Sequence, residues 1–388
     1  MTASADVGVG SGTEADPPLG AGWRAKVQAL QEAALPGGRV LVSAPTHVGQ
    51  GGLGRHLQEI LAALERRGTP GSSVSEGQDP DRDGPAGGSE RRSALALDGA
   101  LAPLVARSPS WRMWAASVAF DRYAATRLTS AEHVIAFNGT ALAQFAAARS
   151  RGYSSVGLVA ANSHFEHLLR RHAQAQREHP GIERPWAKHL LRRNLAEYAQ
   201  AASIYVSSDY IRDSFLAEGF NEERLVRFPL TPDQRYASAP ALATSSTFDV
   251  VYVGSLMVHK GTPLLLDAMR RLPHPDLRLR LIGGWSTRGM RRLIERACAA
   301  DSRISVGPGD PLEGLHGARL YVHPAYEDGF AYAPAEALAC GLPVLVSEDT
   351  GMKELIEVGT NGLVLPTGDL DALTEAIDAV YRGESLGG

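Results

Sequence analysis

The chain of 388 residues has only two cysteines, Cys298 and Cys340. Two thiols cannot build a disulfide framework, so the fold must rest on its apolar core, and a reducing compartment suits it. Basic surplus is also lacking: 39 Lys plus Arg stand against 43 Asp plus Glu, a net charge of −4. A general nucleic-acid binder usually carries a positive excess, which sets that class aside. No apolar run reaches the roughly 18 residues of a membrane-spanning helix. Met1 to Pro18, rich in Gly, Ser and acidic residues, lacks the basic-then-apolar order of a signal peptide. The expectation is therefore a cytoplasmic protein, with peripheral contact at the inner membrane face as its variant. What is present is ordinary for a globular chain, 44% hydrophobic and 21% charged residues, and the length argues for two domains.

Strand and helix signals alternate along the chain. Residues 1–36 read as a flexible tail and a short helix with Trp23, Val27 and Leu30 on one face. Residues 37–235 read as a first Rossmann-like domain. It opens with the strand Arg39 to Ser43, a glycine-rich turn Gly49-Gln-Gly-Gly-Leu-Gly54, and a helix carrying Leu57, Ile60, Leu61 and Leu64. Strands at 133–137, 155–160 and 204–207 follow, with a long helical stretch from Phe165 to Ala202 broken near Pro180 to Pro185. Residues 69–92 are dense in Gly, Pro, Ser and Asp and read as a disordered insertion. The insertion contains Asp79-Pro-Asp-Arg-Asp83, but a metal site needs its carboxylates on a rigid strand end, so no metal is assigned there. Phe228 to Pro232 leads into a linker at 236–247. Residues 248–388 read as a second Rossmann-like domain with strands at 249–253, 277–282, 320–323 and 344–347. Alternating strands and helices imply parallel sheets covered on both faces. Two such halves face each other across a cleft, and ligands bind beyond the carboxyl ends of the strands.

The chemistry concentrates in Tyr326-Glu-Asp-Gly-Phe-Ala-Tyr-Ala-Pro-Ala-Glu-Ala-Leu-Ala-Cys-Gly-Leu-Pro343, directly after the strand at 320–323. Pro334 suits a first helical position, and Gly341 with Pro343 stops the helix. The loop delivers backbone N–H groups and a helix N-terminus, an anion site. Asp328 and Glu336 flank it. Carboxylates repel a phosphate but accept hydrogen bonds from hydroxyls, a combination that suits a sugar joined through a diphosphate to a ribose.

This stretch resembles the Glu-x7-Glu signature of retaining GT-B glycosyltransferases. The resemblance extends to Val253-Gly-Ser-Leu-Met-Val-His-Lys-Gly261, to Gly341-Leu-Pro-Val-Leu-Val-Ser347, to Thr350-Gly-Met-Lys-Glu354, to Asn361-Gly-Leu-Val-Leu-Pro366 and to Gly51-Gly-Leu-Gly-Arg-His-Leu57. It covers about residues 37–68 and 130–380, and its specificity lies in the order and spacing of these motifs together.

The resemblance implies the GT-B architecture, two facing Rossmann-like domains with parallel sheets and an interdomain cleft. It implies a hexosyltransferase that moves a sugar from a UDP- or GDP-linked donor to an acceptor hydroxyl with retention of configuration. Glu336 would bind the ribose, Asp328 a sugar hydroxyl, and the backbone of Gly329, Phe330, Ala331 and Tyr332 the sugar and diphosphate. Lys260 would stabilise the departing diphosphate. Gly51 and Gly52 would admit donor or acceptor close to the backbone, and His164 would stand near the reacting face of the sugar. No metal or cofactor is implied beyond the donor substrate, because Lys260 and helix N-termini take the role of Mg²⁺.

Three features depart from the family pattern. Asp328 replaces the first glutamate, so either the sugar sits differently or Glu327 reaches in. Ser255 stands where a basic residue is common. The chain ends soon after the helix from Asp369 to Arg382, where relatives continue into a helix that braces the first domain. These departures make a catalytically silent GT-B homologue, acting as a binding or regulatory partner, the alternative reading. A nicotinamide dehydrogenase fits badly, since no acidic residue ends a clear second strand. His56 reads as facing along its helix and Cys340 as packing. The basic stretches Arg170-Arg-His172 and Trp186 to Arg193 read most simply as solvated helix faces, with anionic lipid or a lipid-linked acceptor as the other reading. The acceptor expected is a glycan, a lipid-linked sugar or a small metabolite.

Overall fold

In a computed structural model, described here for residues 19–69, 71–75, 109–186, 188–237 and 247–384, every strand pairs in parallel. The first sheet has the order β2-β1-β3-β4-β5-β6 and the second β12-β11-β10-β7-β8-β9. In the first, β1 is Val40–Ala44, β2 Gly71–Ser75, β3 His133–Phe137, β4 Ser155–Ala160, β5 Ser203–Val206 and β6 Leu225–Arg227. In the second, β7 is Phe248–Val253, β8 Leu277–Ile282, β9 Ile304–Gly307, β10 Leu320–His323, β11 Val344–Ser347 and β12 Gly362–Leu365. Helices cover both sheets, so the central strands are buried on both faces and read as continuous apolar runs; β1, β10 and β11 are buried at every position.

The four strands not anticipated from the sequence, β2, β6, β9 and β12, are the four sheet edges. An edge strand is half-exposed and held by backbone hydrogen bonds, so it needs no apolar run. β2, Gly-Ser-Ser-Val-Ser, corrects the expectation that residues 69–92 are irregular throughout: its first residues pair with β1 from Val40↔Gly71 to Ala44↔Ser75. The rest of that segment, the tail 1–18 and linker residues 238–246 lie outside the described residues. Tyr236, placed in the linker by sequence, is instead 1% exposed and closes a short 3₁₀ turn against the core. Phe228 and Leu230 are likewise core residues. The long helical stretch divides as expected, into Phe165–Glu178 and Lys188–Gln200.

The carboxyl ends of the two sheets face one cleft of about 1390 Å³. It is lined by residues following β1, β4 and β5 on one side and β7, β8 and β10 on the other. One apolar cluster runs from Leu57 and Phe228 of the first half to Phe330, Tyr332 and Met352 of the second. The halves also meet through an aromatic stack. The His172 ring lies on His259 with centroids 3.8 Å apart, and Trp186 packs against His172 at 4.3 Å.

Burial, with a smaller contribution from the Lys260 ammonium, pushes the His172 imidazole down to about 3. The unfolded chain binds a proton there near pH 6.5 and the folded chain does not. The stability contributed by this neutral ring is therefore complete above that pH and is lost as pH falls towards the folded value. Between pH 7.5 and 5.5 the loss from this residue is on the order of 1 kcal/mol. His172→Phe keeps a ring in the stack, and its melting temperature should fall by correspondingly less over that interval in a thermal-unfolding series. Parallel pH profiles for the variant and the parent would contradict this.

Candidate functional site

The loop after β10 is built to hold its backbone in one position. Asp328 N–H donates to Asp349 O at 3.0 Å and Gly351 N–H donates to Asp328 O at 2.9 Å, tying the loop to the one after β11. From the first half, Ser208 Oγ donates to Gly329 O at 2.7 Å. A side chain at Gly329 would place its Cβ 2.5 Å from Ala161 O, so glycine permits the halves to close here. Gly329 therefore supports the interdomain contact and does not line the cleft. The helix that follows spans Tyr332–Ala339, two residues earlier than Pro334 suggests. Pro334 lies in the first turn, where no intrahelical partner for its missing N–H is needed. Ala331, before the helix, has φ 64°, a left-handed conformation rare for a residue with a side chain. Phe330, Ala331, Tyr332 and Glu336 line the cleft.

Lys260 and Asp328 form the charged centre. Lys260 Nζ lies 2.9 Å from Asp328 Oδ2 and donates to Glu327 O at 2.9 Å, while His323 Nε2 lies 3.0 Å from the same Asp328 oxygen. Burial alone would raise the Asp328 carboxyl; the Lys260 ammonium and the His323 ring outweigh it and hold the group well below the usual carboxylate range. Asp328 is thus a carboxylate throughout the physiological range. Glu327 does not reach into the cleft. Its Oε1 accepts from Ser163 N–H at 3.0 Å and Ser163 Oγ at 2.9 Å, across the domain boundary, and burial raises its pKa.

Glu336 is 2% exposed, and its carboxylate is paired with Arg55 of the facing helix Gly51–Arg66. The Arg55 guanidinium also lies 4.2 Å from the centroid of the Tyr332 ring. Tyr332 in turn donates its hydroxyl to Glu59 Oε1 at 2.8 Å. Arg55 was not singled out by sequence, although a signal exists. Residues 51, 55 and 59 fall on one stripe of a helix, and that stripe meets the second half.

Gly51 and Gly52 open this helix and line the cleft, which turns the helix N-terminus and its unpaired N–H groups inward. Gly51 has φ 61°, a conformation that favours glycine, whereas a Cβ at Gly52 would make only an ordinary contact with Tyr332. Ser255 lines the cleft beyond β7, where its carbonyl accepts from the Tyr252 hydroxyl at 3.1 Å.

His164 is a correction. Its ring is 1% exposed, sits among Tyr198, Phe215 and Phe220, and caps the helix Phe165–Glu178 by accepting from Glu166 N–H. Burial pushes it down to about 4. It is a neutral core residue outside the cleft, because the chain turns inward at the helix cap directly after β4. The histidines that do line the cleft are His56 and His323. His56, set aside from sequence as facing along its helix, stacks on Phe228, and burial pushes it down to about 3. Nothing in the local pattern distinguishes such rings from His164; only the strand ends they sit beside do.

Among the described residues, one group of three possible metal ligands comes together, His164, Glu166 and Glu218. It lies away from the cleft, and Glu218 already accepts a hydrogen bond from Arg170. Within the cleft, the carboxylates of Asp328 and Glu336 are paired with the side-chain cations of Lys260 and Arg55.

Residues 238–386 match the family model described as glycosyl transferases group 1. The chain is similar to O-antigen chain mannosyltransferase B of Escherichia coli, 33% identical over 135 residues that cover 33% of this chain and 35% of the relative. It is also similar to lipopolysaccharide core biosynthesis mannosyltransferase LpsB of Rhizobium meliloti, 28% identical over 217 residues covering 53% and 59%. The aligned regions span from about a third to three fifths of these relatives' length. Among solved structures, sucrose-phosphate synthase from Thermosynechococcus elongatus superimposes with a TM-score of 0.64 at 17% identity, covering 89% of this chain and 90% of that one. The catalytic domain of starch synthase IV from Arabidopsis thaliana, bound to ADP and acarbose, gives 0.64 at 13% identity, covering 90% and 92%. With its two facing parallel sheets, the chain has the GT-B fold.

Proposed function

We propose that this protein is a glycosyltransferase that moves a hexose from a UDP- or GDP-linked donor to an acceptor hydroxyl, with retention of configuration and without a metal ion. The observation that carries this reading is the Lys260–Asp328 pair in the cleft wall, beside the N-terminus of the helix Tyr332–Ala339. A cation and free backbone N–H groups suit a diphosphate, and an ionised carboxylate beside them suits sugar hydroxyls. The ribose would take Glu336, displacing Arg55. Ser255 and the N-terminus at Gly51 and Gly52 would lie along the donor, and Asn162 and Ser207 of the first half would lie on the acceptor side.

In the reaction the bond between the anomeric carbon and the diphosphate oxygen breaks. The acceptor oxygen bonds to that carbon from the same face, and its proton passes to the leaving phosphate. Lys260 stabilises the charge that develops on the diphosphate, so the donors needed for departure belong to the chain itself. Closure of the halves excludes water and limits hydrolysis of the donor. The relatives named above are mannosyltransferases of an O-antigen chain and of lipopolysaccharide core biosynthesis, which supports a glycan or lipid-linked sugar as the acceptor; a small metabolite is the third acceptor class.

A donor-hydrolysis screen over UDP- and GDP-sugars, followed by NMR of the product anomer, tests the reading. Turnover should be unchanged by excess EDTA; a loss of activity restored by Mg²⁺ or Mn²⁺ would refute metal independence. Calorimetry showing no affinity for any nucleotide sugar would leave the chain a silent partner protein.

A further inference from the structure

The basic stretches noted in the sequence are mostly occupied in the fold. Arg170 pairs with Glu218, Arg171 with Asp349, and Arg193 with Asp121 and Glu197, while His172 and Trp186 pack into the domain interface. Lys188 and Arg192 remain exposed, one turn apart on the helix Lys188–Gln200. A second helix, Pro109–Thr126, joins them. The Trp111 ring stacks on His189 at 4.0 Å, and His189 Nε2 lies 3.3 Å from Ser110 O. Trp111 is 44% and Met113 43% exposed, with the exposed Arg112 between them.

Among the described residues of these two helices, the exposed charges have one sign. The acidic residues of the two helices, Asp121 and Glu197, are 2% and 0% exposed, although the chain as a whole is at −4. Arg112, Lys188 and Arg192 form no ion pair among the described residues. The position of this surface also follows from hydrogen bonds. Asp121 accepts from Ala143 and Gln144 N–H at the start of the helix Leu142–Ser150, and Asn194 and Glu197 bond the turn directly after β3. The portions of both helices N-terminal to these anchors therefore stand beyond the carboxyl edge of the first sheet, the edge that faces the cleft. Trp186, just before the second helix, packs against His259, the neighbour of Lys260.

We propose that Trp111, Arg112, Met113, Lys188 and Arg192 form a docking surface for an anionic lipid bilayer, beside the mouth of the cleft. Large apolar side chains flanked by cations match the headgroup boundary, where Trp and Met enter and Lys and Arg meet lipid phosphates. A lipid-borne acceptor would then meet the cleft without leaving the membrane.

The test is co-sedimentation of the full chain with vesicles of phosphatidylcholine alone and of phosphatidylcholine with about 30% phosphatidylglycerol, a composition chosen to give a negative surface potential. Binding is expected to the mixed vesicles, weak to the neutral ones, and reduced by salt near 0.5 M, where the screening length shrinks to a few ångström. Each cation contributes about fivefold to binding, so R112E/R192E should weaken it by at least about 25-fold, and W111S/M113S should weaken it at constant charge. R270E/R382E on the second half is the charge-matched control and should bind like the parent. Circular dichroism and thermal unfolding verify that the variants fold. Equal binding to neutral vesicles, no binding to the mixed ones, or variants that bind like the parent would overturn the proposal. Donor hydrolysis in solution should be unaffected by these substitutions, so failure of docking and failure of the transferase reading are distinguishable.

Discussion

Lys260→Ala should lower turnover by about 10²–10³-fold while changing the KM for the donor far less. The ammonium touches Asp328 Oδ2 and Glu327 O in the resting cleft. Its greatest effect comes when negative charge gathers on the departing diphosphate, so the loss falls on the transition state rather than on binding. Removing it also leaves the Asp328 carboxylate with His323 as its remaining partner, at a cost to stability of about 1–3 kcal/mol. Lys260→Arg restores charge without the same reach and should recover only part of the rate. Single-turnover kinetics with the best donor, together with thermal unfolding, separate the two effects. A variant with parental turnover would remove Lys260 from the mechanism.

Glu336→Ala should abolish productive donor binding, raising KM by about 10²-fold or more, since two charge-assisted hydrogen bonds to a ribose are lost. The opposite end of the same ion pair should behave differently. In the ligand-free cleft Arg55 occupies the carboxylate that the ribose needs, so donor binding must break that pair. Arg55→Ala removes the competitor and should lower the KM, while leaving Glu336 buried and unpaired in the absence of donor. Opposite signs from the two partners, read by calorimetry with a nucleotide sugar, are the diagnostic result. Equal losses from both would mean that the pair acts in closing the domains and that Glu336 does not hold the ribose.

Much of the site was legible because its residues sit at strand ends. The run after β10, with Asp328 and Glu336, and the Lys260 loop after β7 follow strands whose apolar sequences are unmistakable, and both line the cleft. His164 follows β4 just as closely but turns into the core, because the cap of the next helix directs its ring towards Phe215 rather than outward. Gly329 shares the signature segment yet serves the contact with Ala161. Arg55 and His56 lie on a helix whose apolar pattern was read correctly, but their roles depend on the helix and strand that face them from outside that pattern.

Local composition thus determined the alternation of strands and helices, the two parallel sheets and the order of the chemical motifs. Each of these depends on burial and turn chemistry within a few neighbouring residues. The tertiary structure alone decided the edge strands, whose backbone bonds ask little of their side chains. It alone decided which histidines face the cleft, that Glu336 is matched with Arg55, and that two helices far apart in sequence stack Trp111 on His189. Those outcomes depend on distances across the fold, between residues that no local pattern relates.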